Sequence, residues 1–284
     1  MELPLVVGID GSDSSLAAVD WAVDEAARHG LPLRLVYASL WERYEGAATA
    51  NNLERPSEEL MAEGIIGTAR ERARRRNPMV EVFADVLPED AVSALLREGH
   101  NATALVTGSR GRGGLTGLLL GSVGLAVAAR AHCPVIVIRG DKAGLAGVHE
   151  RILLGVGEPA TSREALRFAF REAEARKCIL DVVRAWRRPA YEITEHPVPP
   201  DQQASALLDA LLRDAAAEHP GVRVRRAIAE GPARIVLLKR SAAADLVVIG
   251  GRRRQGYAGL QLGRVGHTLL HHASCPVAIV PQRV

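Results

Sequence analysis

The chain has 284 residues, 48% of them hydrophobic and only 4% aromatic, with a formal net charge of +3 and a sequence pI of about 9.0. This length suits two domains of ordinary size, and no run of 18 apolar residues predicts a membrane span. No basic leader precedes the first apolar run, and three cysteines are too few for a disulfide framework, so we expect a cytoplasmic protein with buried thiols.

The first half alternates apolar runs with amphipathic segments. Continuous apolar runs are typical of strands buried on both faces, and they predict strands at 3–9, 33–38, 80–86, 103–107 and 135–138. Helices are predicted near 13–29, 57–76, 88–99 and 121–131. We expect Asp13 or Ser14 to cap the first helix, Ser57 to cap the second and Pro88 to begin the third.

A glycine motif lies between the fourth strand and the fourth helix. Gly108 and Gly111 flank Ser109 and Arg110, nine residues follow, and then come Gly121 and Ser122 at the start of a helix. Glycine lets a backbone approach a ligand closely, and a helix N-terminus favours an anion. The motif therefore predicts a phosphate cradle, although it lacks the Gly-Lys-Ser/Thr of a Walker loop.

Asp10 ends the first predicted strand, and Gly108 follows the fourth. Alternating strands and helices indicate a parallel sheet with right-handed crossovers. Such sheets bind ligands at the carboxyl ends of their strands, where the strand order reverses. We therefore expect Asp10 and the glycine motif to border one crevice, in which the carboxylate would accept from ribose or adenine donors or coordinate a metal held by phosphates.

The second half repeats the first, after a linker near 140–150. Strands are predicted near 151–156, 179–185, 222–228, 245–249 and 277–281, and helices near 161–176, 201–218, 231–240 and 263–272. At a constant offset, Gly108 pairs with Gly250, Gly121 with Gly263, and the Cys-Pro-Val segment at 133–135 with that at 275–277. The chain is therefore a tandem duplication, with domains expected at 1–140 and 148–284.

The two copies differ at the positions predicted to bind a ligand. Gly157, Arg253 and Arg264 stand where the first half has Asp10, Gly111 and Ser122. One interpretation is a second half kept for packing or partner binding alone. The other is that Arg252, Arg253 and Arg264 hold a different phosphate ligand, because arginine also binds anions.

These residues resemble the universal stress protein family in its tandem two-domain form. The resemblance rests on Val7-Gly8-Ile9-Asp10-Gly11-Ser12, on the glycine motif with its nine-residue spacing, and on His132-Cys133-Pro134-Val135. It covers almost the whole chain, apart from the linker and the segments 39–56 and 186–200.

The resemblance implies two α/β domains, each a five-stranded parallel sheet of order 3-2-1-4-5 flanked by helices, like an adenine-nucleotide α-hydrolase. It implies ATP, possibly with Mg²⁺, in the first domain, whose motif is intact, and a degenerate motif in the second. Asp10 would meet the nucleotide and Ala38 would pack on the adenine. Ribose and phosphates would be held by Gly108, Arg110, Gly111, Gly121, Ser122 and Val123. Family members dimerise, often through their fifth strands, and respond to stress or dormancy, so we expect a pseudo-dimer within the chain and a possible homodimer.

Alternative functions are a slow ATPase or autokinase and a ligand-independent interaction scaffold. No catalytic residue or metal site is predicted, because no general base or metal-ligand cluster stands out. His267 and His271 have a metal-like spacing but no acidic companion, so a solvated helix face is the expected role. The arginine clusters are not interleaved with aromatic residues, which argues against nucleic-acid binding.

Overall fold

The structure, a computed structural model, describes residues 2–40, 57–111, 120–188, 199–251 and 262–282. It divides into two compact units, residues 1–138 and residues 139–284. Within the described part of the chain, no helix is both long and apolar enough to cross a membrane.

The first unit is a parallel five-stranded sheet with helices between its strands. Its elements are β1 (Leu5–Gly8), α1 (Asp13–His29), β2 (Leu33–Ala38), α2 (Ser57–Arg76), β3 (Val82–Leu87), α3 (Ala91–Glu98), β4 (Ala104–Gly108), α4 (Ser122–Arg130) and β5 (Val135–Ile138). The strand order is β3-β2-β1-β4-β5, and every pairing is parallel. The order reverses between β1 and β4, so the predicted crevice lies at their carboxyl ends.

The second unit repeats this topology. After the short helix α5 (Lys142–Ala146) come β6 (Arg151–Gly155), α6 (Pro159–Arg176), β7 (Ile179–Trp186), α7 (Pro200–Glu218), β8 (Arg223–Glu230), α8 (Ala233–Ser241), β9 (Leu246–Gly251), α9 (Arg264–His272) and β10 (Val277–Pro281). Its strand order is β8-β7-β6-β9-β10, again all parallel. The predicted fold, two sheets of order 3-2-1-4-5, is confirmed.

Burial follows the position of each strand in its sheet. Val7, Leu105 and Val106 of the central strands β1 and β4 are fully buried. The prediction that all strands are buried on both faces is wrong for β3 and β8, where half-buried and exposed residues prevail. Both are edge strands, so each has a strand neighbour on one side only, and Phe83 and Ile228 are exposed on them.

Two helix starts differ from the prediction. Ser12, rather than Asp13 or Ser14, is the N-cap of α1, and its side chain accepts from the backbone N–H of Ser15 at 3.2 Å. Helix α3 begins after Asp90 rather than at Pro88, because the Asp90 carboxylate accepts from the backbone N–H groups of Val92 and Ser93. Helix α2 does begin at Ser57, whose side chain lies outside the described part.

The predicted linker is partly ordered as α5. The Asp141 side chain caps this helix by accepting from the Gly144 N–H at 2.9 Å, and Gly147 ends it with φ of 69°. The Asp141 N–H also donates to the Ser274 carbonyl at 3.0 Å. These residues therefore belong to the second unit rather than to a free linker.

Candidate functional site

Asp10 is held at the carboxyl end of β1 by a tight turn. The Ser12 hydroxyl and the Ser12 backbone N–H both donate to Asp10 Oδ1, at 2.6 and 3.0 Å. Gly11 has φ of 78°, a value that glycine adopts without strain. The turn fixes the orientation of the carboxylate, which is half-buried at the carboxyl end of the central strand β1.

Two serines join this turn to the glycine motif. The Arg110 backbone N–H donates to Ser14 Oγ at 3.0 Å, and the Ser14 hydroxyl in turn donates to the Arg110 carbonyl. The Ser12 hydroxyl lies 3.4 Å from the same carbonyl. The segments that follow β1 and β4 are therefore clasped together. The sequence predicts Ser14 only as a possible helix cap, and nothing in the sequence pattern indicates this contact.

Close approach explains two of the glycines. A Cβ on Gly108 would lie 2.6 Å from the Ser14 carbonyl oxygen, and a Cβ on Gly111 would lie 2.7 Å from Asp10 Oδ2. A Cβ atom essentially never approaches another heavy atom this closely. Glycine at both positions lets the motif reach the Asp10 turn.

Gly121 stands in a different environment. Its backbone N–H donates to the Ser109 carbonyl at 2.8 Å, and the nearest atoms to a Cβ there would be 3.7 Å away, which is ordinary contact. Gly121 is the N-cap of α4 and supplies no side-chain cap. Ser122 is exposed at the first helical position, and Val123 is half-buried.

The sheet register brings Ala38 to the level of Asp10. Gly8 pairs with Val36 in the β1–β2 ladder, and Asp10 and Ala38 each lie two residues further on. The structure thus places Asp10, Ala38 and the described glycine-motif residues at the carboxyl ends of β1, β2 and β4. Residues 112–119 of the motif lie outside the described part.

The second unit keeps the backbone of this turn but not its carboxylate. The Gly157 N–H donates to Ser162 Oγ at 3.0 Å, as the Asp10 N–H does to Ser15 Oγ at 3.4 Å. The Gly157 carbonyl accepts from the Arg184 guanidinium, near the end of β7. An arginine from a neighbouring strand therefore covers the turn where the first unit presents Asp10.

Two adjoining cavities lie at the same end of the second sheet. One, of about 440 Å³, is lined by Arg234, Leu262, Arg264, His267 and Thr268. The other, of about 280 Å³, is lined by Ala185, Trp186, Arg187, Gly231, Ala233, Arg234, Arg264 and Val265. The sequence pattern does not identify Arg187 or Arg234 as a site residue, because neither belongs to the repeated glycine motif. Arg252 and Arg253 lie outside the described residues.

Burial keeps the cysteine thiols protonated. Cys133, Cys178 and Cys275 are free and buried. Burial raises the pKa of Cys133 to about 11, and it also raises the pKa of Cys178 and Cys275. The thiolate is the reactive form, so these side chains act as small packing residues, as the sequence predicted.

The histidines of α9 stack on one another. The rings of His267 and His271 are 4.4 Å apart between centroids. Burial lowers the pKa of His271, and the neighbouring His267, His272 and Arg139 lower it further. His271 is therefore disfavoured as a cation, while His267 is exposed at the edge of the larger cavity.

Comparisons with known proteins agree with this architecture. The model of the Universal stress protein family matches residues 3–139 and 149–281. The universal stress protein Rv2005c of Mycobacterium tuberculosis is 31% identical over 301 residues, with 98% of this chain and 97% of that protein covered.

Among solved structures, a universal stress protein from Archaeoglobus fulgidus superposes with a TM-score of 0.72 at 18% identity, covering 99% of this chain and 98% of that one. Another solved universal stress protein, a complex with cAMP, is 28% identical with a TM-score of 0.38 and covers 49% of this chain and 98% of that one. The two family matches together span nearly the whole sequence, and the chain belongs to the universal stress protein family.

Proposed function

We propose that the chain is an ATP-binding protein of the stress or dormancy response, with its nucleotide site in the first domain only. The observation that carries this proposal is the clasp between Ser14 and Arg110, which holds the glycine motif against the Asp10 turn. The contact brings the Asp10 carboxylate and the backbone of the glycine motif together at the carboxyl ends of the strands. Parallel α/β folds bind their ligands at these ends.

The residues of this crevice fit a nucleotide. The Asp10 carboxylate suits ribose hydroxyl donors or a Mg²⁺ ion held by phosphates. The N-terminus of α4, with Ser122 and Val123, suits phosphate oxygens. In this proposal Ala38 packs on the adenine, and Gly108, Arg110, Gly111 and Gly121 surround the ribose and phosphates.

Two features argue that the second domain does not recognise a nucleoside. Gly157 has no carboxylate, and Arg184 occupies its carbonyl. The position of Gly111 is taken by Arg253, which adds bulk where the first domain requires glycine.

The first test identifies the ligand. We expect mass spectrometry of the small molecules released on denaturing the purified chain to detect an adenine nucleotide. Calorimetric titration with ATP should give one site per chain whose affinity depends on the nucleoside. Titrations with ADP, AMP and cAMP then rank these nucleotides by affinity. Failure to bind any of these nucleotides would support a ligand-independent scaffold. Steady release of phosphate would instead support a slow ATPase.

The second test alters the site. Asp10→Ala should weaken ATP binding by about 1–3 kcal/mol, the scale of a hydrogen bond to a charged group. Asp13→Ala is the matched control, because Asp13 is exposed in the first turn of α1. Gly121→Leu should abolish ATP binding at the first-domain site by filling the phosphate position. The backbone at this position accepts a side chain, since a Cβ there meets nothing closer than 3.7 Å. Undiminished binding in both variants would refute the site.

A further inference from the structure

Three arginines of the second domain converge on one groove. Arg187 follows β7, Arg234 lies in the first turn of α8, and Arg264 begins α9. Arg234 and Arg264 line both cavities described above, so the two cavities adjoin at these two residues and are considered together as one groove. We call the groove bordered by these three residues the arginine groove.

The three arginines of the arginine groove are not paired with any carboxylate among the residues that the structure describes. Other arginines of the domain do have such partners, as Arg240 has Asp181 and Arg226 has Asp209. Neighbouring like charges repel each other, and a bound anion relieves that repulsion.

The backbone adds to the positive potential. Gly263 is the N-cap of α9 and supplies no side-chain cap. The N-terminus of this helix therefore presents its free N–H groups beside Arg264. Trp186 also lines the smaller cavity.

We propose that the arginine groove binds a small polyanion carrying at least two linked phosphate groups. Arg234 and Arg264, which border both cavities, would each take one phosphate through their planar guanidinium forks. The ligand is recognised by its phosphates and not by a nucleoside, because the turn at Gly157 offers no carboxylate and its carbonyl is occupied by Arg184. This proposal does not depend on ATP binding in the first domain.

The experiment is calorimetric titration of the full chain with tripolyphosphate, in a background of Gly121→Leu that alters the first-domain cradle. We expect one site per chain. Arg264→Ser, which restores the residue found at the equivalent position in the first domain, should weaken binding about tenfold or more, and so should Arg234→Ser. The affinity should fall as salt is added.

Arg225→Ser is the matched control. Arg225 is exposed on β8 and does not line the groove, so this variant removes the same charge from the same domain. It should change the affinity less than about twofold, as a distant and screened charge does. An equal loss in Arg225→Ser and Arg264→Ser would show general charge attraction and overturn the proposal, as would an absence of tripolyphosphate binding at millimolar concentration.

Nucleotides supply the second set of titrations. In the Gly121→Leu background, ATP should bind no more tightly than tripolyphosphate, and adenosine should not bind. Tighter binding of ATP that is lost in Arg264→Ser would mean that the groove recognises a nucleoside, and the proposal would be wrong. These results can be told apart from a failure of the proposed ATP site in the first domain. That failure would appear as ATP binding that Asp10→Ala does not weaken.

Discussion

Gly108 and Gly111 do not adopt the positive φ that favours glycine, but their neighbours leave no space for a side chain. At Gly108 the obstacle is the backbone carbonyl of Ser14, which cannot move without disturbing α1. At Gly111 it is the carboxylate of Asp10. The glycine motif is therefore required first by packing between two loops, whatever ligand those loops bind.

Replacing Gly108 with alanine tests this packing. A Cβ there would lie 2.6 Å from the Ser14 carbonyl oxygen, so the loop and α1 must separate. We expect Gly108→Ala to lower the free energy of unfolding by about 1–3 kcal/mol, the cost of overpacking, measured by urea denaturation.

Gly67→Ala is the control for this change. Gly67 lies in α2 with nothing within 4 Å of a Cβ, and alanine favours a helix by about 1 kcal/mol over glycine. This variant should be as stable as the parent or more so. Similar destabilisation in the two variants would contradict the close approach at Gly108.

At the scale of elements, arginines near the end of α2 join this helix to α1. Arg72 donates to both carboxylate oxygens of Asp20, at 2.7 and 2.6 Å, and Arg76 does the same to Asp24. These contacts raise the pKa of both arginines. The sequence does not reveal these contacts, because the paired residues are 52 positions apart. Because the two guanidinium groups are paired, they are poor candidates for binding nucleic acid.

A double-mutant cycle on Arg72→Ala and Asp20→Ala measures this connection. The coupling energy should be about 0.5–1 kcal/mol, since the pair is partly exposed, and it should decrease with added salt. The pair Arg75 and Glu71 is a control within one helix, with side chains 73% and 61% exposed. It should couple by no more than about 0.5 kcal/mol. Equal coupling in the two cycles would mean that the bidentate geometry contributes nothing.

At the scale of the whole molecule, each unit contains all five strands of its own sheet. The second unit also includes residues ahead of β6. The Arg139 Nε donates to the Ala273 carbonyl at 2.9 Å, and the Asp141 N–H donates to Ser274. The sequence placed the start of this domain at residue 148, after those contacts.

Two fragments test this boundary. Residues 139–284 should fold alone, with cooperative thermal unfolding followed by circular dichroism. Residues 148–284 should be less stable by about 1–3 kcal/mol, because the carbonyls at the end of α9 lose charged and backbone donors. Equal stability of the two fragments would show that residues 139–147 are a linker after all. The predicted association of β5 with β10 and the possible homodimer stay predictions.

The sequence by itself determined the two repeats, their strands and most helix boundaries, because hydrophobic periodicity and glycine spacing are local signals. It also located Asp10 and the glycine motif at the carboxyl ends of neighbouring strands, since alternating strands and helices allow few topologies. It failed at edge strands, where an apolar run does not reveal which faces are covered. It also failed at α1, where Asp13, Ser14 and Ser12 are equally good caps on residue type alone.

The tertiary structure alone decided which distant residues meet. Ser14 and Arg110 are 96 positions apart, and only the β1–β4 pairing brings them together. Arg187, Arg234 and Arg264 come from three different connections and share no motif. Their convergence depends on the strand order and on the directions in which α8 and α9 begin, which no spacing along the chain encodes. The candidate site of the first domain could therefore be predicted from its motif. For the arginine groove the sequence indicated only Arg264, at the motif position of Ser122, whereas Arg187 and Arg234 could only be found in the fold.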